Sequence, residues 1–259
     1  MKFFDTHAHL PMLEHAPEQE IVDRAWTSGV ERMVTVATEV ANWDSSREAA
    51  HRHKHISYSL GLHPHEANHW KACRDQLYGY FQNGVPDKCV AIGEMGLDFH
   101  YSFADRANQI ECLEEQFALA KKHNLPVIIH CREAFTEVFH SLRKVGLSQA
   151  GGVMHCFTGT TPDAKAAIDL GLKISFSGIL TFKNAEPLRE AARSLPLDEI
   201  VLETDCPYLA PIPMRGKPNE PSYITHTAAC LATVRGETPE KIAQATYENA
   251  CQLFAVSPA

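Results

Sequence analysis

The sequence predicts an α/β fold, a (β/α)8 TIM-like barrel, and three observations carry that expectation. Short β-branched apolar runs alternate with longer segments of helical periodicity, which implies parallel β-α-β units. Eight such runs fall within 259 residues, about 32 residues per unit, the length scale of a barrel repeat. Neither G-x-G-x-x-G after the first strand nor G-x-x-x-x-G-K-S/T occurs, which removes the commonest reason for an open nucleotide-binding sheet. A doubly wound open sheet is the alternative arrangement of the same elements.

The expected strands are Phe3–His9, Arg32–Thr38, Ile56–Pro64, Cys89–Leu97, Pro126–Cys131, Gly152–Phe157, Leu172–Ile179 and Ile200–Cys206. Between strands four and five, Ala104–His123 reads as a helix: Ala107, Ile110, Leu113, Phe117 and Ala120 recur at three- and four-residue spacing. Asn124-Leu-Pro126 ends it and starts the next strand. Thr161-Pro162-Asp163 reads as an N-cap followed by proline in the first turn, with Gly171 as the C-terminal stop. Thr238-Pro239-Glu240 starts a last amphipathic helix through Ile242, Ala245, Tyr247 and Leu253. The Pro-rich stretch Pro207–Pro221 follows strand eight, which in a barrel is a loop at the active-site end.

Composition sets the outer limits. At 44% apolar and 22% charged residues the chain is an ordinary soluble globular protein. A single domain over residues 1–259 is expected, with no linker and no evident obligatory protein partner. The opening residues lack the pattern of a signal peptide, and no run of about 18 apolar residues exists for a membrane span. The eight cysteines form no C-x-x-C pair and read as small buried residues of a cytoplasmic protein. The net charge of −8 argues against a protein that coats nucleic acid through a broad basic face.

The informative residues are polar ones where core strands should be apolar. His7 and His9 end strand one, Glu94 lies late in strand four, His130 ends strand five, His155 ends strand six and Asp205 ends strand eight. Catalytic groups of a barrel come from the C-terminal ends of several strands. Residues i and i+2 of a strand share a face, so His7 and His9 point the same way, with Phe3 and Asp5, while Phe4, Thr6 and Ala8 face the helices. Glu203 and Asp205 pair by the same rule. Imidazole and carboxylate donors suit divalent ions such as Zn, Mn or Mg. H-x-H alone carries little weight, but five strands ending in ligand-type residues make a metal site the stronger reading. His51, His53 and His55 precede strand three and read as a solvated helix end.

The motifs are Phe4-Asp-Thr-His-Ala-His9, Gly61-Leu-His-Pro-His65, Ile92-Gly-Glu-Met-Gly-Leu-Asp98, Pro126-Val-Ile-Ile-His-Cys-Arg132, His155-Cys-Phe-Thr-Gly159, Leu202-Glu-Thr-Asp-Cys-Pro-Tyr-Leu209 and Arg215-Gly-Lys-Pro-Asn-Glu-Pro221. In these the sequence resembles the TatD family of metal-dependent deoxyribonucleases, related to the amidohydrolases, over nearly its whole length. The resemblance implies an amidohydrolase-like barrel holding two divalent metal ions. His7, His9, Glu94 and Asp205 would hold one, and Glu94, His130 and His155 the other, with Glu94 bridging in place of a carbamylated lysine. Glu203 is implied as a catalytic or third-metal group. Cys206 stands where family members often have serine.

The implied chemistry is phosphodiester hydrolysis at DNA ends, exonuclease-like, by a hydroxide formed between two ions. Asp205 would orient or deprotonate the water, and His63 would contact substrate or carry a proton. Asp5 is the candidate to fix a histidine ring. Arg132, Arg215 and Lys217 are candidate phosphate contacts, or solvated loop charges. The role of His65 stays open. Acidity of the chain favours recognition of a few nucleotides over a long duplex. The alternatives are hydrolysis of a small-molecule amide, lactone or phosphoester on the same site, and a metal-binding scaffold without turnover.

Overall fold

Parallel strands β1 (Phe3–Ala8), β2 (Val30–Ala37), β3 (Ile56–Leu60), β4 (Cys89–Asp98), β5 (Val127–Arg132), β6 (Gly152–Met154), β7 (Leu172–Phe176) and β8 (Ile200–Leu202) pair in sequence order in the computed structural model, which describes residues 1–258. The ring closes beyond the end of β8. His9 N donates to Cys206 O at 2.8 Å, Asp205 N donates to His7 O at 2.9 Å, and Ala8 bridges Cys206. The result is the expected (β/α)8 barrel, and the open-sheet alternative falls because its edge strands would not meet. No helix among the described residues is long and apolar enough to cross a membrane.

The helices are α1 (Glu18–Thr27), α2 (Val40–Arg52), α3 (Trp70–Tyr80), α4 (Arg106–His123), α5 (Phe135–Val145), α6 (Thr161–Asp169), α7 (Glu186–Ser194), α8 (Ile224–Arg235) and α9 (Pro239–Leu253). Local signals place several of their ends. Asn124 takes the left-handed conformation after α4, and the Thr238 hydroxyl accepts from Lys241 N at the start of α9. The cap of α6 lies one residue earlier than expected. Thr160, not Thr161, exchanges hydrogen bonds with Asp163, and Thr161 is the first helical residue.

Two apolar clusters form the core. The larger packs strand residues against the helix layer. The smaller joins Val34, Ile128, Val153 and Val201 to Tyr247, Ala250 and Leu253 of α9 and to Phe254 just past it. Ile128, Val153 and Val201 lie two residues before His130, His155 and Glu203, so they share the inward face with them. Asn249 of α9 donates to Leu197 O at 2.8 Å and Ile200 O at 2.7 Å, at the start of β8. Thus α9 closes the N-terminal end of the barrel and leaves the C-terminal end open.

The strict alternation expected for β1 does not hold. Phe4 belongs to the smaller cluster, with its ring 5.7 Å from Phe254, whereas Phe3 packs in the larger one. Register shifts between Phe3 and Phe4, and between Asp5 and Ala8, break the period of two. A second local feature serves the site directly. Gly96 pairs with His130 at φ +154°, and a Cβ there would collide with the His130 carbonyl. Glycine therefore lets β4 approach β5 at His130.

Candidate active site

The strand ends bring His7, His9, Glu94, His130, His155 and Asp205 to one buried cluster, with His63 added from the end of β3. Glu94 is its centre. Its Oε2 lies 3.3 Å from His7 Nε2 and 3.9 Å from His9 Nε2. Its Oε1 lies 2.9 Å from His155 Nε2, 3.1 Å from His130 Nδ1 and 3.4 Å from His63 Nε2. Asp205 Oδ1 lies 3.5 Å from His9 Nε2 and 3.7 Å from His7 Nε2. One carboxylate thus serves two groups of imidazoles with separate oxygens. The His7 and His155 rings stack between the groups, with centroids 3.9 Å apart.

Outer partners determine which ring nitrogen faces inward. His9 Nδ1 donates to Val36 O at 3.1 Å, leaving the Nε2 lone pair toward Asp205. His130 Nε2 meets Asp98 Oδ2 at 3.1 Å, leaving Nδ1 toward Glu94. His155 Nδ1 meets Glu203 Oε1 at 3.2 Å, leaving Nε2 toward Glu94. Three lone pairs so assigned face carboxylate oxygens. Such an arrangement demands positive charge between them, as protons or as cations. Burial opposes a charge on His155, yet Glu94 and Glu203 overcome it and raise its pKa well above the ordinary imidazole value. Burial pushes Glu94 up, but the surrounding histidines hold its carboxyl well below the usual range.

The donor set fits divalent metal ions. It comprises imidazole nitrogens and carboxylate oxygens, and three groups place their atoms within 4.8 Å of one another: His7, His9 and Glu94; His7, His155 and Glu203; His63, Glu94 and His130. Two buried polar atoms, His7 Nδ1 and Glu203 Oε2, have no hydrogen-bond partner among the described residues. His63 differs from the others. Its Nδ1 accepts from His65 N at 3.2 Å, so its Nε2 carries the proton toward Glu94. Burial lowers its pKa to about 4.

The structure places Asp5 differently from the expectation. Asp5 does not reach a histidine ring. It accepts from Thr204 Oγ1 at 2.6 Å, Thr204 N at 2.9 Å and His7 N at 3.3 Å, fixing the strand ends of β1 and β8 to each other. Burial pushes its carboxyl up to about 7. Arg132 lies over the Tyr101 ring at 4.9 Å and Arg215 over Phe182 at 4.1 Å. With Lys217 they are exposed and outside the cluster. Of the upstream histidines, His53 is buried and meets Glu18 Oε1 at 2.9 Å, so it is not part of a solvated tract. All eight cysteines are free. Cys131 and Cys206 are buried under their inward neighbours, and Cys156 is half-buried beside Ser177.

Asp98 was not among the expected site residues. It is 1% exposed, and its Oδ2 contacts both His130 and His65, the latter at 2.9 Å. Its Oδ1 accepts from His100 N and Tyr101 N, each at 3.0 Å. The available signal was its place at the end of β4, four residues after Glu94.

A closed parallel barrel with a histidine and carboxylate cluster at its C-terminal mouth defines a metal-dependent hydrolase of the TIM-barrel type. The family model described as "TatD related DNase" matches residues 4–255. An uncharacterized metal-dependent hydrolase of Bacillus subtilis, YabD, is 39% identical over 255 residues, covering 98% of this chain and 99% of that one. A protein of a Rahnella species named 3'-5' ssDNA/RNA exonuclease TatD is 39% identical over 245 residues, 92% of each chain. The crystal structure of the Escherichia coli TatD homolog YjjV superposes with a TM-score of 0.93 at 33% identity, covering 98% of both chains. The chain belongs to the TatD family of metal-dependent hydrolases.

Proposed function

We propose that this protein is a divalent-metal-dependent phosphodiesterase that acts on nucleic-acid ends in an exonuclease-like manner. The observation that carries the reading is the division of Glu94, with one oxygen toward His7 and His9 and the other toward His130 and His155. His7, His9, Glu94 and Asp205 would hold one ion, and Glu94, His130 and His155 a second. Bound there, the ions would polarise a phosphoryl oxygen and acidify a water.

The chain's own groups supply the rest. Asp205 is 8% exposed at the mouth side of the cluster and holds the proton taken from the attacking water. His63 is neutral and presents an Nε2–H that can donate a hydrogen bond to a substrate oxygen. Glu203 is fully buried; its Oε1 meets His155 Nδ1 and Cys156 N and holds the His155 ring, while its unpartnered Oε2 is left for a catalytic or third-metal role. Asp98 holds His130 in the same way.

The exonuclease named above, at 39% identity, supports a nucleic-acid substrate. The charge of −8 limits such binding to contact with a few nucleotides rather than a duplex face. Eight free cysteines suit a cytoplasmic protein. The test is a metal-quantified preparation on matched 3'-labelled and 5'-labelled oligonucleotides. A metal-dependent ladder from one end supports the reading. No cleavage of either strand, with hydrolysis of a small amide or lactone instead, replaces it.

A further inference from the structure

The loop after β4 carries an aromatic pair that the chemistry above does not use. Tyr101 is 42% exposed and Phe103 62% exposed. Their rings lie 5.3 Å apart and tilt by only 30°. His65 packs behind them, with its ring 4.7 Å from Phe103 and 5.6 Å from Tyr101. The Arg132 guanidinium stands 4.9 Å from the centre of the Tyr101 ring.

This pair is attached to the ligand cluster through one side chain. Asp98 Oδ1 accepts from Tyr101 N, while Asp98 Oδ2 contacts His65 and His130. The loop's position is therefore set by the same carboxylate that holds a proposed metal ligand. Exposed large apolar residues close to a charged site mark a surface where a ligand covers them. A small apolar substrate would need an enclosed, mostly apolar pocket. Here two exposed rings lie together at the surface, Phe103 the more exposed, with a cation over Tyr101, which suits a flat π-system joined to a phosphate. The acidic chain gains little from nonspecific phosphate attraction, so stacking supplies affinity that charge does not.

We propose that Tyr101 and Phe103 form a shelf on which an unpaired nucleobase stacks, with Arg132 beside it to meet a backbone phosphate, while the adjoining phosphodiester reaches the Glu94 cluster. This rests on the phosphodiesterase reading and adds to it the side chains that would hold an unpaired base. A base inside a duplex has its faces covered and cannot use the shelf.

The experiment measures fluorescence anisotropy of metal-loaded protein with a labelled, phosphorothioate-protected thymidine hexamer, and with the same strand carrying abasic residues at its ends. The wild type is expected to bind the base-containing strand roughly 10-fold tighter or more. In Tyr101→Ala/Phe103→Ala that ratio falls to near one, and in Phe103→Trp it is kept. Phe103→Ser, a change at the most exposed of these rings, gives a partial loss if the double variant melts early. A wild-type ratio near one, or a ratio unchanged in the alanine variants, overturns the shelf. Hydrolysis of bis(p-nitrophenyl) phosphate by the wild type is read separately. Hydrolysis without base discrimination overturns the shelf alone. Discrimination without hydrolysis keeps the shelf and overturns the phosphodiesterase reading.

Discussion

The Asp98 carboxylate lies 3.1 Å from His130 Nε2, on the side of the imidazole opposite Glu94. Asp98 therefore fixes the tautomer that turns the Nδ1 lone pair of His130 toward the cluster. Asp98→Asn would put an amide where two imidazole N–H groups need an acceptor. The expected result is a 10–100-fold loss of metal affinity, the usual cost of removing such a partner. Competition with a chelator measures it, and unchanged affinity in the folded variant would remove Asp98 from the account.

Asp205 is assigned both a ligand and a proton-holding role, and one variant separates them. Asp205→Asn keeps an oxygen donor but loses basicity. The rate should fall by roughly 10²–10⁴-fold at matched metal occupancy, the range of a lost general base. Full activity at full occupancy contradicts the proton role.

The loop from Pro207 to Pro221 is held by Glu220, whose side-chain partners Arg24, His15 and Ser222 are not proposed ligands. Arg24 Nη2 donates to Glu220 Oε2 at 2.7 Å, Arg24 Nε donates at 3.0 Å, and His15 meets Oε2 at 3.1 Å. Burial opposes ionisation, but these partners and Ser222 lower the Glu220 pKa to about 2. A carboxyl depressed on folding stabilises the native state above its unfolded pKa and stops doing so as pH falls through the folded value. Urea denaturation should show Glu220→Gln less stable than wild type by about 1–3 kcal/mol at pH 7. The gap should narrow between about pH 4.5 and pH 2. A gap independent of pH would mean that packing, not charge, holds the loop.

The barrel and the cluster were legible because imidazoles and carboxylates stand out at the ends of apolar strands. His7, His9, Glu94, His130, His155 and Asp205 needed only the rule that strand ends converge. Residues whose partners lie on other elements were not legible. Asp5 shares a strand with His7, but its partner is Thr204, and only closure of β1 on β8 brings them together. Asp98 falls just past the expected fourth strand, and only β5 places His130 beside it. His53 reads as part of a histidine tract until α1 presents Glu18. The facing of Phe4 depends on register shifts in β1, which apolar patterning does not record.

The central claim is that Glu94 joins two metal ions, and native mass spectrometry of metal-loaded protein tests it most directly. The wild type should carry two divalent ions per chain. Glu94→Gln should lose at least one, together with roughly a 10³-fold drop in rate, about 4 kcal/mol. Two ions retained in Glu94→Gln at wild-type affinity, or no more than one ion in the wild type under saturating metal, would contradict it.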